Sequence, residues 1–458
     1  MRAQALQTGS LARSWSLARI GLGLGAQLTA HALRNVLRSE DERAAVNREF
    51  YRAQARALAA ELGRLKGSVM KAGQLFALYG GYFLPEEVIA ELACLQELAQ
   101  PLAWPHIAAV LDAQLGVGRL TELDIEQTPI GAASLGQVHR ARRRRDGVEL
   151  CLKVQYPGVA ETIDSDMRTL SRLLVMSRLL PHGLDLGPML AELRAMLRQE
   201  TDYGRERRFI EEYGRRLAAD ARFGVPRVYP EFCAPRVLAM SFEAGFDATD
   251  PAVQGLPLAQ RNRLAAAFIE LFLTELFEWR VVQTDPNFGN YRFQPQDDGD
   301  LRIVLLDFGA TRTFPQAFVR GYANIVLGAL RHDRARIVRG ATAIGILDRE
   351  FPPEMLETWA RMCEAIVEPF DDPLQAGTPP ALLNAHGAYR WGASDLPARA
   401  AAAAARTTRA VTFRMPPPEL LFLHRRLSGV FVMLAALRAE FNAGAQVVQA
   451  LERACAGD

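Results

Sequence analysis

The chain has 458 residues, 49% hydrophobic and 23% charged, a balance that excludes a largely disordered polymer and is too long for one compact domain. Its 54 lysines and arginines face 52 acids, and the resulting net charge of +2 argues against a dedicated nucleic-acid binder. Five scattered cysteines with no CxxC pair argue against a zinc framework and against disulfides, which fits a reducing compartment.

Residues 1–60 read as an Ala-, Arg- and Leu-rich helical region. No apolar h-region with a small-residue cleavage site stands at its start, so no secretory signal is read there. The apolar, glycine-punctuated run from Ile20 to Ala30 falls short of the roughly 20 residues that span a bilayer, and is expected to lie on another helix or on a membrane surface. Leu65, Val69, Leu75 and Leu78 then mark one helical face up to Gly80-Gly81, which stop the helix. Further helices are expected from Glu86 to Ala99 and from His106 to Leu115.

The character changes near residue 121. Leu123-Asp-Ile, Gln137-Val-His-Arg-Ala and Glu149-Leu-Cys-Leu-Lys-Val-Gln read as strands, the last two joined by a hairpin at Asp146-Gly147. Helices follow over 161–180 and 189–219, with strand candidates at 225–229 and 236–242. The remainder reads as helical over 258–279, 315–331, 333–345, 352–369, 397–412 and 418–455, interrupted by short strands at Val281 and 302–306. This order predicts an α+β protein with a two-lobed core and an N-terminal helical extension.

The strongest chemical pattern lies at 281–310. Asp285 and Asn290 stand five positions apart in a loop after an amphipathic helix, and Asp307-Phe-Gly follows a short apolar strand. Phosphoryl transfer needs metal ions bridging phosphates and a carboxylate near the attacking oxygen. Asp285 is expected to orient or deprotonate a nucleophile, and Asn290 and Asp307 to hold Mg2+. A lone Asp-Phe-Gly is an ordinary turn; both elements in order, each after a suitable helix or strand, outweigh that reading.

Upstream, Lys153 sits in a strand, preceded by the small-residue loop 129–139 with Ala132, Ala133 and Ser134. Small side chains there let backbone N–H groups approach phosphates, with the lysine as a point charge. A buried lysine needs a carboxylate. Glu200, Asp202 and Glu206 are candidates, with Glu206 favoured, although acids in such a run are often only a solvated helix face.

These residues resemble the ABC1, UbiB or AarF (ADCK-type) atypical kinase-like family, whose members support ubiquinone and related isoprenoid-lipid metabolism. The matching segments are Lys71-Ala-Gly-Gln74, Ala132-Ala-Ser134 with Gly136-Gln-Val-His139, and Val154-Gln-Tyr-Pro-Gly158. With them stand Glu200-Thr-Asp202, Gln283 to Asn290, Asp307-Phe-Gly and the closing His424-Arg-Arg-Leu-Ser-Gly, so that the resemblance covers about 60–440. It implies a protein-kinase-like fold: a helical extension at 61–120, an N-lobe at 121–243 and a helical C-lobe at 244–458.

The resemblance implies ATP and Mg2+ as cofactors, with Lys71 and Gln74 facing the nucleotide site and Glu200 and Asp202 helping to hold that element. Met240 is counted with the nucleotide-binding residues. Gly131 replaces a further alanine usual in the family's loop, and Arg207-Arg-Phe replaces small and amide residues after Glu206. No long activation segment follows Asp307, which argues against protein-substrate docking.

The expected activity is that of an atypical kinase or ATPase supporting isoprenoid-quinone metabolism. An isoprenoid-quinone precursor or lipid is the expected partner, with a homodimer allowed, and the expected location is cytoplasmic or peripheral on the inner face of a membrane. The alternatives are a small-molecule kinase of the aminoglycoside or choline type and a non-catalytic, nucleotide-dependent lipid-binding regulator. The arginine run 142–145 is read as solvated cations at a hairpin tip, with anionic lipid heads as the sharper alternative. His139 and His424 are read as structural. Only three lysines occur, Lys66, Lys71 and Lys153, and two of them fall where a compact ammonium is required and arginine is a poor substitute.

Overall fold

The computed structural model describes residues 49, 51–60, 62, 71–73, 76, 84, 88–89, 91, 101–133, 135–177, 185–297, 299–348, 351–371, 378–396, 399 and 417–456. Most of the helical readings over 1–60 and 61–99, and that over 397–412, lie outside these. Packing divides the chain into two units, one running up to Arg205 with Tyr229–Ser241 added, the other comprising Glu206–Val228 and Phe242 onward. The segment Glu206–Val228, read from the sequence with the N-lobe, packs with the second unit.

In the first unit, α1 (Trp104–Leu120) starts with Pro105 in its first turn, where a missing N–H costs nothing. Gly116 inside it has φ 74°, a left-handed conformation that glycine adopts without strain, so regular helix ends at Leu115. The sheet follows with β1 (Leu123–Ile125), β2 (Gly131–Ala133), β3 (Gly136–Arg143) and β4 (Glu149–Gln155). The sheet is antiparallel: β1 and β2 both pair with β3, and β3 pairs with β4.

Leu150, Leu152 and Val154 alternate along β4 onto one face, where all are fully buried against Ile107, Val110 and Leu111 of α1. Each contributes about 1.5–3 kcal/mol through burial. Cys151, Lys153 and Gln155 therefore point to the opposite face.

Helix α2 (Val159–Ser177) comes next, and then two helices, α3 (Gly187–Glu200) and α4 (Tyr203–Arg216), stand where the sequence suggested one. The break has a local cause: Thr201 ends α3, and Asp202 Oδ1 accepts the Arg205 N–H at 2.8 Å, satisfying a donor that the start of α4 would leave unpaired. The strand expected at 225–229 is instead β5 (Phe223–Gly224), and β6 (Val237–Ser241) closes the first unit's sheet against β4.

In the second unit, α5 (Leu258–Leu273) runs into a π-helical turn, Thr274–Trp279, that ends at Arg280 with φ 55°. Four strands follow, two more than the sequence suggested: β7 (Val281–Gln283), β8 (Tyr291–Pro295), β9 (Leu301–Leu305) and β10 (Thr311–Thr313). β10 pairs with β7, and β9 lies between β5 and β8. The helices α6 (Gln316–Leu330), α7 (Arg334–Ala343), α8 (Pro353–Ile366), α9 (Pro418–Ala436) and α10 (Gly444–Ala456) follow in this unit.

The single helix read over 418–455 is thus α9 and α10. Between them Asn262 takes both backbone groups of Glu440, donating to its carbonyl at 2.7 Å and accepting its N–H at 2.8 Å, which draws the chain out of helical geometry. The order of elements is that of an α+β, protein-kinase-like fold.

Candidate active site

The pairing of β7 with β10 places Gln283 opposite Thr311. The loop leaving β7 carries Asp285 and the turn entering β10 carries Asp307, so one two-stranded ladder anchors both acid-bearing segments. Two further bonds stitch the loops together. Thr284 Oγ1 donates to the Ala310 carbonyl at 2.6 Å, and the Leu306 N–H donates to the Asn290 carbonyl at 2.9 Å.

Within the loop, Asn287 accepts the Gly289 N–H and shapes the short turn Phe288–Asn290. Asn290 Nδ2 donates to Asp285 twice, to its carbonyl at 3.1 Å and to Oδ2 at 3.2 Å. Spending the amide nitrogen on Asp285 orients the Asn290 side-chain oxygen away from that contact. Asp307 Oδ1 accepts the Gly309 N–H at 2.8 Å, and the Phe308 ring is fully buried edge-on to Tyr213 at 4.8 Å. Glu206, from α4, is 1% exposed and stands over Gly309: a methyl group there would come within 3.5 Å of Glu206 Oε2 and 3.3 Å of Asp307 Oδ1. Asn290 and Asp307 offer hard oxygen donors, the set that suits magnesium when phosphates complete its coordination.

A buried polar network that the sequence reading missed underlies this loop. Glu275, in the π-helical turn, accepts the Tyr213 hydroxyl at 2.7 Å and the Gln283 N–H at 3.3 Å on Oε1, and Arg426 Nη2 at 2.9 Å on Oε2. Arg426 also donates to the Tyr291 hydroxyl. Glu275 and Arg426 have side-chain exposures of 1% and 2%. The network therefore grips Gln283 and Tyr291, the residues flanking the Asp285 to Asn290 loop. Burial pushes the Glu275 carboxyl above its ordinary value, opposed by the Arg426 charge.

Arg425, adjacent on α9, donates to Asp285 Oδ1 at 2.6 Å. Gly429, one turn later, packs so closely on Pro286 that a Cβ there would lie 1.7 Å from the proline Cβ. The available signal was a charged residue inside an apolar helical run, Glu275 in Leu271–Trp279 and Arg426 in Leu420–Leu434, in phase with the buried face.

The first unit holds the remaining expected residues. Lys153 is 8% exposed on β4, its ammonium 5.6 Å from the Tyr203 ring centre. Gln155, on the same face, donates to the Thr201 carbonyl at 2.9 Å. The small-residue loop is a hairpin: Ala132 pairs with Gln137 and Ala133 with Gly136, while Ser134 lies outside the described residues. A Cβ at Gly136 would meet the Val154 carbonyl oxygen at 2.5 Å and the Tyr203 hydroxyl at 2.8 Å, so only glycine fits. Met240, on β6 opposite Cys151, is buried.

Lys71 is 7% exposed and its ammonium lies 3.0 Å from Glu200 Oε1; Gln74 lies outside the described residues. Asp202 is exposed and is spent on the α4 cap. Lys153 belongs to the first unit and Glu206 to the second.

His139 is buried. Its Nδ1 donates to the Glu126 carbonyl at 2.8 Å, so Nε2 accepts from Gln137 Nε2 at 2.9 Å, and burial holds its pKa below the usual value. His424 is lowered to about 4 by burial. At the hairpin tip Arg143 pairs with Asp146 and Glu231, Arg144 with Asp124, and Arg145 with Asp146. Arg144 and Arg145 nevertheless stay 60% and 65% exposed. Among the described residues, no helix is long and apolar enough to cross a membrane.

The family model described as the ABC1 atypical kinase-like domain matches residues 94–341. The chain is 31% identical over 381 residues to the mitochondrial atypical kinase COQ8 of Schizosaccharomyces pombe, covering 83% of this chain and 60% of that protein. It is 32% identical over 388 residues to the mitochondrial atypical kinase COQ8B of Rattus norvegicus, covering 84% and 70% respectively. The structure of the Rv3197–erythromycin complex from Mycobacterium tuberculosis aligns with a TM-score of 0.58 at 24% identity, over 92% of this chain and 100% of that one, a likeness of fold.

Proposed function

Because this chain belongs to the ABC1 atypical kinase-like family, we propose that it is a magnesium- and nucleotide-dependent ATPase or phosphotransferase serving isoprenoid-quinone or related lipid metabolism. The observation that supports the reading is the β7–β10 ladder, which, with the bond from the Leu306 N–H to the Asn290 carbonyl, ties the loop carrying Asp285 and Asn290 to the segment carrying Asp307.

Asn290 and Asp307 are the residues to hold magnesium, which when bound neutralises charge building on the phosphates. Asp285 orients the attacking oxygen and accepts its proton. Lys153 is assigned to phosphate oxygens as a single-point cation, and the hairpin of Gly131, Ala132 and Ala133 to backbone approach. The Lys71–Glu200 pair fixes the 71–73 segment, which supports its assignment to a family element that restricts access by protein substrates. Strand β10 leads through Phe314 and Pro315 directly into α6, which also favours a small or lipid-like acceptor, or water, over a docked protein.

The test is a magnesium-dependent ATP turnover assay with and without anionic liposomes and a phenolic quinone-precursor mimic. Stimulation by both supports the lipid-linked reading. Tight nucleotide binding with no turnover under any of these conditions would replace it with a nucleotide-dependent regulator, and robust phosphorylation of a soluble alcohol with a small-molecule kinase.

A further inference from the structure

The Asp285 carboxylate is held from both sides. Asn290, in its own loop, takes Oδ2 at 3.2 Å, and Arg425, arriving from α9 140 positions later, takes Oδ1 at 2.6 Å. The two side chains of the Arg425–Asp285 pair are 21% and 24% exposed, so the contact is shielded from solvent though not sealed.

Arg425 reaches Asp285 from a helix that is itself anchored. The next residue, Arg426, is buried in the Glu275 and Tyr291 network, and Gly429 packs directly on Pro286, the residue after Asp285. A guanidinium on so fixed a base has few ways to leave. It sets the carboxylate's rotamer instead of merely neutralising a surface charge, and a charge-assisted bond of this length is among the stronger polar contacts.

We propose that Arg425 is a positioning residue for phosphoryl transfer. By fixing Oδ1 of Asp285 it directs the remaining lone pairs of the carboxylate toward the attacking oxygen, so that α9 completes the site from outside the loop that carries the acid. This rests on the reading of Asp285 given above and extends it to a residue on a separate helix. A misplaced base costs rate more than binding, so the effect belongs in kcat.

The experiment compares full-length wild type with Arg425→Met and Arg425→Lys, measuring magnesium-dependent ATP turnover, nucleotide affinity with a fluorescent ATP analogue, and thermal melting. The expected result for Arg425→Met is a loss of kcat of about ten- to a hundredfold, with KM for ATP and analogue affinity within about twofold of wild type and a melting profile like that of wild type. Arg425→Lys, which keeps the charge but not the fork, should recover part of the rate.

Unchanged kcat in Arg425→Met would overturn the proposal. So would a rise in kcat, which would make the pair an autoinhibitory latch, or a fall in affinity matching the fall in rate. Absence of magnesium-dependent nucleotide binding by wild type would instead overturn the functional reading itself.

Discussion

Replacing Arg426 with methionine leaves the Glu275 carboxylate, 1% exposed, with the Tyr213 hydroxyl and the Gln283 N–H as donors but without its counter-charge. Breaking a buried pair from one side costs about 3–5 kcal/mol, and Glu275→Leu, which leaves the guanidinium without its counter-charge, should cost a similar amount. The double variant Glu275→Leu/Arg426→Met removes both charges. It leaves the Gln283 N–H short of an acceptor, while the Tyr213 hydroxyl keeps the Val281 carbonyl at 3.1 Å, so about 2–4 kcal/mol is expected.

That total is well below the sum of the two single losses, giving a favourable coupling of several kcal/mol. The assay is urea unfolding followed by tryptophan fluorescence, since Trp279 lies edge-on to Tyr213 at 5.4 Å and reports on this region. A double variant as unstable as the two singles combined would refute the reasoning.

The same pair has a pH signature. Burial raises the folded-state pKa of Glu275, and without Arg426 nothing of comparable charge opposes the rise. A carboxyl with a raised folded pKa favours folding below its unfolded pKa and loses that contribution as pH climbs through the folded value. Arg426→Met should therefore be more destabilised at pH 8 than at pH 5.

Gly429→Ala gains about 1 kcal/mol of helix propensity, yet the collision with Pro286 should outweigh it, giving a net loss of about 1–2 kcal/mol in urea unfolding and slower ATP turnover; a stabilised, fully active variant would contradict the packing. Glu200→Gln should destabilise the first unit by about 1–2 kcal/mol by removing the carboxylate charge 3.0 Å from the Lys71 ammonium, and Lys71→Met in the same chain should recover part of that in chemical denaturation. His424, lowered to about 4, takes up its proton in the unfolded chain first, so the stability of its neutral form is present above about pH 6.5 and is lost as pH falls toward 4. Replacing it with glutamine should flatten that acid limb by at most about 3 kcal/mol, read as the difference in urea midpoint between pH 7 and pH 4.5.

Much of the fold was legible because its signals are local. The alternation along Glu149–Gln155, the Asp146-Gly147 turn and the long amphipathic helices each carry their own periodicity. What escaped was decided by distant partners or by single side chains. Strand β10 has three residues and exists because β7 lies beside it. The break between α3 and α4 depends on one aspartate acting as a cap, and the break after α9 on Asn262, far earlier in the sequence.

At the site, Asp285 and Asn290 stood out by their spacing within one loop, and Asp307 by the Asp-Phe-Gly that follows a strand. Arg425, Arg426 and Glu275 could be joined to them only by the packing of α9. Asp202 was legible as an acid in the right run, but its exposure and its capping bond distinguish it from Glu200, which meets Lys71.

The central claim is that Asp307 holds magnesium for a bound nucleotide. Affinity for an ATP analogue, titrated with and without magnesium in wild type and in Asp307→Asn, tests it most directly. The account predicts that magnesium tightens binding to wild type at least tenfold and that Asp307→Asn removes this dependence together with turnover. Magnesium-dependent binding and turnover that survive the substitution would contradict it.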